Sequence, residues 1–386
     1  MKKIIFTFLV IILVFPFEAE SFPAFARKYS MTCKTCHSPF PRLKPYGDEF
    51  ARNGFKLEDK DAPRYYTDTG DDELSLLRDL PIAIRFDGYI NYNTSNSQAL
   101  DFGSPYILKL LSGGELTKNV AYYFYFFFSE RGDVAGVEDA FVLFNNLFGV
   151  DLDLYVGQFQ VSDPLFKREL RLSFEDYQIY RTKPGFSNAD LAYDRGIMLT
   201  YGLPTGTDFT LEILNGCGIG SANSARLFDN DKNKNFMGRI SQDIGEHFRI
   251  GGFGYFGTER FNSIDNKTSM FGPDFSITTD KLKLNFQYVS RKDDNPIFTT
   301  FKKEEIKTNG IMSELIYMPK GDDSKWYGVA LFNMVNSDQN DLDYKSYTLH
   351  AGYMLRRNIR LIAEYAYIDS NSKKYGRFGI EIISAF

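Results

Sequence analysis

From residue 80 to the C-terminus, apolar and polar side chains alternate along segments of roughly ten residues, with turn-forming residues between them. Ile82, Ile84, Phe86, Gly88, Ile90 and Tyr92 fall on one side of the first segment, opposite Arg85, Asp87, Asn91 and Asn93. Val150, Leu152, Leu154 and Val156 alternate with Asp151, Asp153 and Tyr155; Leu282, Leu284, Phe286 and Tyr288 alternate with Lys281, Lys283, Asn285 and Gln287. Ile359, Leu361, Ala363, Tyr365 and Tyr367 alternate with Arg360, Glu364 and Ala366. A period of two is that of a strand with one apolar and one polar face. A soluble sandwich would hide the apolar face; here the polar face is expected to line a lumen.

The connections sharpen this reading. Short turns are expected at residues 117–119, 147–149, 204–206, 245–246, 279–280 and 356–358. Long polar loops are expected at 94–103, 162–193, 216–235, 259–267, 291–309 and 337–343. Short periplasmic turns alternating with long outside loops are the habit of bacterial outer-membrane barrels, and the segments number about sixteen, the even count such barrels require. The last segment sets Phe378, Ile380, Ile382, Ser384 and the terminal Phe386 on one face. A C-terminal aromatic on an alternating strand resembles the signal that outer-membrane assembly reads.

The chain is divided as follows. Lys2 and Lys3, then Ile4 to Phe17, then Ala19-Glu20-Ser21 read as a signal peptide over residues 1–21, with cleavage near Ser21. Its apolar run is too short to span a bilayer comfortably. Residues 22–57 form a compact segment, 58–79 an acidic, turn-rich linker, and 80–386 the barrel. The formal net charge of −5 gives no reason to expect nucleic acid as a partner. Three cysteines do not make a disulfide framework, and Cys217 in a Gly-rich loop reads as a free structural thiol. No hydrolytic triad, phosphate loop or paired-carboxylate site is visible.

The compact segment carries Cys33-Lys34-Thr35-Cys36-His37. C-x-x-C-H is the spacing at which two thiols add to haem vinyl groups and the adjacent histidine binds iron. A zinc site would want a second ligand pair nearby, and a thioredoxin-like pair would want a βαβ context. Neither follows in the sequence. One covalent haem c is therefore expected on Cys33 and Cys36, with His37 as its axial iron ligand. For the sixth ligand the candidates are Met31, His247 and His350. His350 follows the inward parity of Thr348 and Gly352, and His247 falls beside a short turn.

Downstream, Pro45 to Asn53 is predicted to be a short helix stopped by Gly54 in the left-handed conformation. Tyr46 and Phe50 would share one face, with Leu43 a turn earlier and Phe25, Phe40 and Phe55 adding bulk. So small a core is marginal by itself, and a tethered porphyrin would supply the missing apolar mass. The expected fold class is thus all-β, a transmembrane antiparallel barrel preceded by a small, mostly helical or irregular monohaem cytochrome c segment.

Several residues carry a family resemblance: Phe22-Pro23-Ala24-Phe25-Ala26-Arg27, Met31-Thr32-Cys33, the C-x-x-C-H, Phe40-Pro41-x-Leu43, and Tyr46-Gly47-x-x-Phe50-x-x-x-Gly54-Phe55. Together they resemble the fused outer-membrane monohaem cytochrome–porins of iron-oxidising bacteria. The match covers residues 22–57; over the barrel it is architectural and equally describes phosphate-selective-type porins. The resemblance implies an electron conduit that takes electrons from an extracellular donor, Fe(II) in that family, and passes them to a periplasmic c-type cytochrome. In enzymatic terms it implies an Fe(II):cytochrome c oxidoreductase.

An apolar band about 25 Å tall separates donor from acceptor, so the haem segment is expected within or at the mouth of the barrel. Acids in the outer loops (Asp229, Asp231, Asp265, Asp293, Asp294, Glu304, Glu305, Asp338, Asp341) have no ligand spacing and define no iron site. A different reading is a porin for small anions or solutes with a haem-bearing plug, served by lumen-facing Arg85, Lys109, Lys283 and Arg360. A third is an exported cytochrome with an adhesive β-domain.

Overall fold

The computed structural model describes residues 24–29, 31–57, 70, 81–95, 100–301, 304–371 and 373–386. The signal peptide, Phe22 and nearly all of the linker lie outside the described residues. Among those described, no helix is long and apolar enough to cross a membrane.

Sixteen strands run from β1 (Ile82–Asn93) to β16 (Lys373–Ala385). Each pairs antiparallel with its sequence neighbours, and β1 pairs with β16 to close the barrel. Closure removes every strand edge, as hydrocarbon demands of a spanning sheet. Phe386 completes the seam: its N–H donates to the Ile84 carbonyl at 2.8 Å and its carbonyl accepts the Ile84 N–H at 2.6 Å.

The faces follow the period-two pattern. Ile90, Tyr92, Leu361, Tyr365, Tyr367, Phe378, Ile380 and Ile382 are exposed on the outside, whereas Asp87, Asp153, Asn285, Gln287, Arg360 and Glu364 are buried on the inside. Arg85 and Lys109 also face inward and are already neutralised, Arg85 by Asp87 at 2.6 Å and Lys109 by Glu169 at 3.2 Å.

The connections differ from expectation in four places. Residues 259–267 are no long loop: β9 (Phe248–Phe261) and β10 (Ile264–Thr278) meet through a two-residue turn with Asn262 and Ser263 at positive φ. Their ladder runs from Ile264↔Phe261 without a break, so both strands rise beyond the usual rim. β15 (Ile359–Ser370) and β16 also join tightly at the loop end. Conversely, β12 (Ile306–Tyr317) and β13 (Trp326–Ser337) are joined at the turn end by a longer connection that includes a 3-10 turn, Gly321–Asp323. Asp293 is not a loop acid; it is fully buried in β11 (Leu282–Asp293) and grips Arg291 at 2.6 Å.

The largest departure is the outside loop expected at 162–193, which is the connection 161–192 in the structure. This segment leaves β5 (Leu152–Gln160) and turns into the lumen before returning to β6 (Tyr193–Gly202). Tyr177 and Tyr180 are buried to 1% and 0% exposure, and they reach across the barrel. Tyr177 Oη donates to Glu314 at 2.9 Å and Tyr180 Oη to Gln287 at 3.4 Å. The N–H groups of Phe174 and Glu175 both donate to Glu364. Buried backbone needs partners, and the polar inner wall supplies them.

A plug in the short-turn mouth

The N-terminal segment forms three short helices, α1 (Ala24–Tyr29), α2 (Cys33–Cys36) and α3 (Pro45–Arg52). α2 is one turn long. His37 caps it with extended backbone, and its N–H donates to the Cys33 carbonyl at 2.8 Å. A small loop then folds the chain back, pairing His37 with Leu43, and Lys44 N–H donates to the Cys36 carbonyl at 2.8 Å. α3 opens with Pro45 at a position that needs no N–H partner, and Gly54 follows it at φ 69°.

Gly47 brings α3 against α2 at a distance no other residue allows. A Cβ there would lie 2.4 Å from the Cys36 carbonyl oxygen. The buried side of α3 is therefore centred on Gly47 and Phe50, and Tyr46 lies exposed at 43% rather than sharing Phe50's burial. Tyr29, Cys36, Phe50 and Phe55 make a small core with Phe25, Met31, Leu43 and Leu57 packed against it. Phe25 stacks on Phe55 at 5.1 Å and meets Phe50 edge-on at 5.3 Å.

This segment sits in the end of the barrel that holds the short turns. Phe55 stacks on Tyr123 of β3 (Val120–Glu130) at 5.4 Å. Lys56 pairs with Glu115 of β2 (Leu100–Thr117) at 3.2 Å, and Arg52 approaches Asp208 of β7 (Thr207–Leu214) at 3.8 Å. On the far side Lys44 pairs with Asp322 at 2.5 Å and Lys34 with Asp323, both acids in the β12–β13 connection. Ser38 Oγ donates to Met318 Sδ at 3.7 Å. Arg42 reaches deepest and pairs with Glu314 at 3.0 Å.

Glu314 is fully buried and joins three bodies. One oxygen accepts Arg42 of the plug and Asn285 of the wall (2.9 Å), and the other accepts Tyr177 of the inward loop. Nothing in sequence set Glu314 apart from other inward-facing acids. Its role depends on groups far apart in the chain.

The C-x-x-C-H residues lie on α2 and at its C-terminal cap. All three cysteines are free thiols, Cys33 half-buried and Cys36 buried. Burial pushes both thiols up. His37 Nδ1 lies 2.9 Å from the Pro41 carbonyl, which can only accept. Nδ1 therefore carries the proton and Nε2 the lone pair, the usual outer-shell arrangement behind a metal-ligating histidine. Burial also lowers the affinity of His37 for a second proton. Among the described residues, no three His, Cys, Asp or Glu side chains gather as a metal-holding group.

Of the sixth-ligand candidates, Met31 packs against the plug core. His350 is buried in the wall with both nitrogens near partners, Nδ1 with Glu364 at 3.0 Å and Nε2 near Tyr327 Oη at 3.4 Å. His247 is exposed beside the short turn that precedes β9.

No protein-family model and no curated protein sequence matches the chain. Among solved structures it is similar to the anion-selective porin from Comamonas acidovorans at 12% identity and TM-score 0.60, with 80% of this chain and 99% of that one covered. The outer membrane channel DcaP of Acinetobacter baumannii matches at 14% identity and TM-score 0.57, covering 80% and 97%. Salmonella typhi OmpF matches at 11% and 0.58, again covering 80% and 97%. Likeness at such identities concerns the fold. This is a porin-type barrel of the bacterial outer membrane. Its sixteen strands, apolar outer face and polar lumen are those of that architecture.

Proposed function

We propose that the barrel is an electron conduit whose periplasmic mouth is closed by a plug carrying one covalent haem c. The observation that carries this reading is the seating of Cys33–His37. The motif lies on a segment held in the short-turn mouth by Arg42–Glu314, Lys44–Asp322 and Lys56–Glu115. Cys33 and Cys36 would hold the porphyrin, and His37 Nε2 would face the iron. The bound haem would supply one-electron chemistry. The chain's own part would be to fix the group within the wall and to close the lumen around it. An extracellular donor such as Fe(II) is then met on the loop side and a periplasmic c-type cytochrome on the turn side. The resemblance of residues 22–57 to fused cytochrome–porins supports the same reading.

The test is direct. Purified protein should give the thioether-haem pyridine haemochrome spectrum, and Cys33→Ala with Cys36→Ala should abolish it while leaving heat-modifiable migration of the barrel intact. In cells, that variant should lose Fe(II)-dependent reduction of periplasmic cytochrome. Wild-type protein lacking a covalent haem band would overturn the proposal.

The likeness to porins and channels, taken alone, favours a second reading: a channel for small anions or solutes with a plug that gates it. Lumen-facing Arg85 and Lys109 fit anions less well now that Asp87 and Glu169 neutralise them. Single-channel conductance separates the readings, because a gated porin must open under some condition and a conduit need not.

A further inference from the structure

The short-turn mouth is unevenly charged. Three neighbouring connections meet beside α2: the turn at 279–281, the β12–β13 connection, and the turn between β14 (Tyr344–Arg356) and β15. They are packed on one another. A Cβ on Gly321 would lie 2.8 Å from the Asp280 carbonyl oxygen, and Met318 N–H donates to the Lys281 carbonyl at 2.7 Å. Met354 N–H donates to the Lys325 carbonyl at 2.7 Å, and Arg357 donates to the Asp322 carbonyl at 3.3 Å. Lys281, Lys320, Lys325, Arg356 and Arg357 are thereby gathered, all of them exposed. Their acidic neighbours are mostly committed. Lys44 and Lys34 of the plug hold Asp322 and Asp323, which leaves Asp280. Among the described residues no ion pair holds Lys281, Lys320, Lys325 or Arg356. Elsewhere round the mouth the sign reverses, with Asp151 and Glu246 exposed and unpaired against Lys118.

The position of this basic crescent says what it faces. Tyr317, Trp326 and Tyr353 are exposed on the outer wall as the aromatic girdle of these strands, and the cations lie on its water side. The crescent also runs inward onto the plug. Lys34 stands within the C-x-x-C-H motif, its side chain 32% exposed. The charge of Arg357 reaches the Cys33 thiol, opposing the larger effect of burial. A lipid headgroup meets a barrel from its outer circumference, whereas this surface extends over the mouth. Positive charge on one sector and negative charge on another would orient a protein that carries the complementary pattern. Resting on the conduit reading above, we propose that Lys281, Lys320, Lys325, Arg356 and Arg357 form the docking surface for a soluble periplasmic electron carrier with an acidic face. Docked there, the carrier lies against α2.

The experiment uses the full-length, haem-loaded protein in nanodiscs of zwitterionic lipid. Its probe is one protein in two charge states: basic cytochrome c, and the same cytochrome succinylated on its lysines, which makes it acidic. Biolayer interferometry reads binding, and stopped-flow mixing reads the passage of one electron from the reduced protein to the ferric probe. The succinylated probe should bind more tightly and be reduced faster, and its rate should fall steeply as salt rises. Lys320→Glu with Arg356→Glu should lower its association rate about tenfold or more at low salt. Lys118→Glu, on the acidic sector, should leave that rate as it was or raise it. Equal rates for the two probes, or a double variant as fast as wild type, overturn the proposal. It also fails if nanodiscs containing phosphatidylglycerol abolish probe binding, which would assign the cations to lipid headgroups. Should the double variant not assemble, wild type decides alone: a rate for the succinylated probe that ignores salt overturns the proposal. Binding is read whether or not haem is attached, so protein without covalent haem sinks the conduit reading and is told apart from failure of the surface.

Discussion

At the scale of single residues, close approach and burial decide what can change. Gly47 is the tightest point of the plug, because its missing Cβ would meet backbone, the Cys36 carbonyl, and also Leu43 Cδ2 at 2.9 Å. Backbone cannot rotate aside as a side chain can. Gly47→Ala should therefore cost about 1–3 kcal/mol of plug stability, read as earlier thermal loss of the haem absorbance band. Gly220→Ala, with nothing within 4 Å, is the matched control and should be neutral. Cys217 behaves in the opposite sense, as a residue whose chemistry is suppressed. Its Sγ–H donates to the Phe228 carbonyl at 3.3 Å, and burial, then Asp194 and Asp229, push the thiol up to about 12. The thiolate fraction at neutral pH is then on the order of one in a hundred thousand. Native protein should leave Cys217 unlabelled by iodoacetamide at neutral pH, and unfolded protein should label it readily; fast native labelling would show that the thiol is not held.

At the scale of elements, the plug's attachments are unequal. Arg42 and Glu314 are both sheltered, with side chains 12% and 0% exposed, whereas Lys34 meets an Asp323 that is 73% exposed. Removing one partner of a buried pair strands a charge, so Arg42→Ala should cost about 3–5 kcal/mol. Lys34→Ala should cost little, because water and salt screen that pair. Limited proteolysis of residues 24–57 from the periplasmic side would rank the two, and equal protection in both variants would contradict this assignment. Glu314→Gln should go further, weakening the inward loop through Tyr177 as well as the plug. At the seam, Phe386 makes both backbone bonds to Ile84. Its deletion should lower the yield of assembled, heat-modifiable barrel.

At the scale of the whole molecule, two insertions obstruct one lumen. The plug fills the turn end, and residues 161–192 cross farther in, the two meeting at Glu314. Intact protein in planar bilayers should conduct far less than an open sixteen-stranded porin, although the barrel wall is of the same kind. Deleting residues 22–57 should raise conductance only in part, since the inward loop remains bonded to β11, β12, β13 and β15. Full porin-like conductance after that single deletion would show that the inward loop is no barrier.

Much of this architecture was legible in the sequence because it is local. Side-chain alternation needs only neighbouring residues, so the strand faces, the count of sixteen and the inward positions of Arg85, Lys109, Lys283 and Arg360 follow from it. The helix from Pro45, its stop at Gly54 and the C-x-x-C-H spacing are local as well. Loop lengths misled where a strand simply continued past the rim, as at Asn262 and Ser263, because polar residues on a tall hairpin look like a loop. What lay beyond the sequence was destination. Whether residues 161–192 extend outward or fold inward depends on partners such as Glu314, which lies 137 positions from Tyr177. Which acid meets which lumen arginine, as Asp274 meets Arg239, likewise emerges only when sixteen strands set their inner faces against one another. Sequence fixes the direction a side chain leaves its strand, and only the closed barrel decides what it meets.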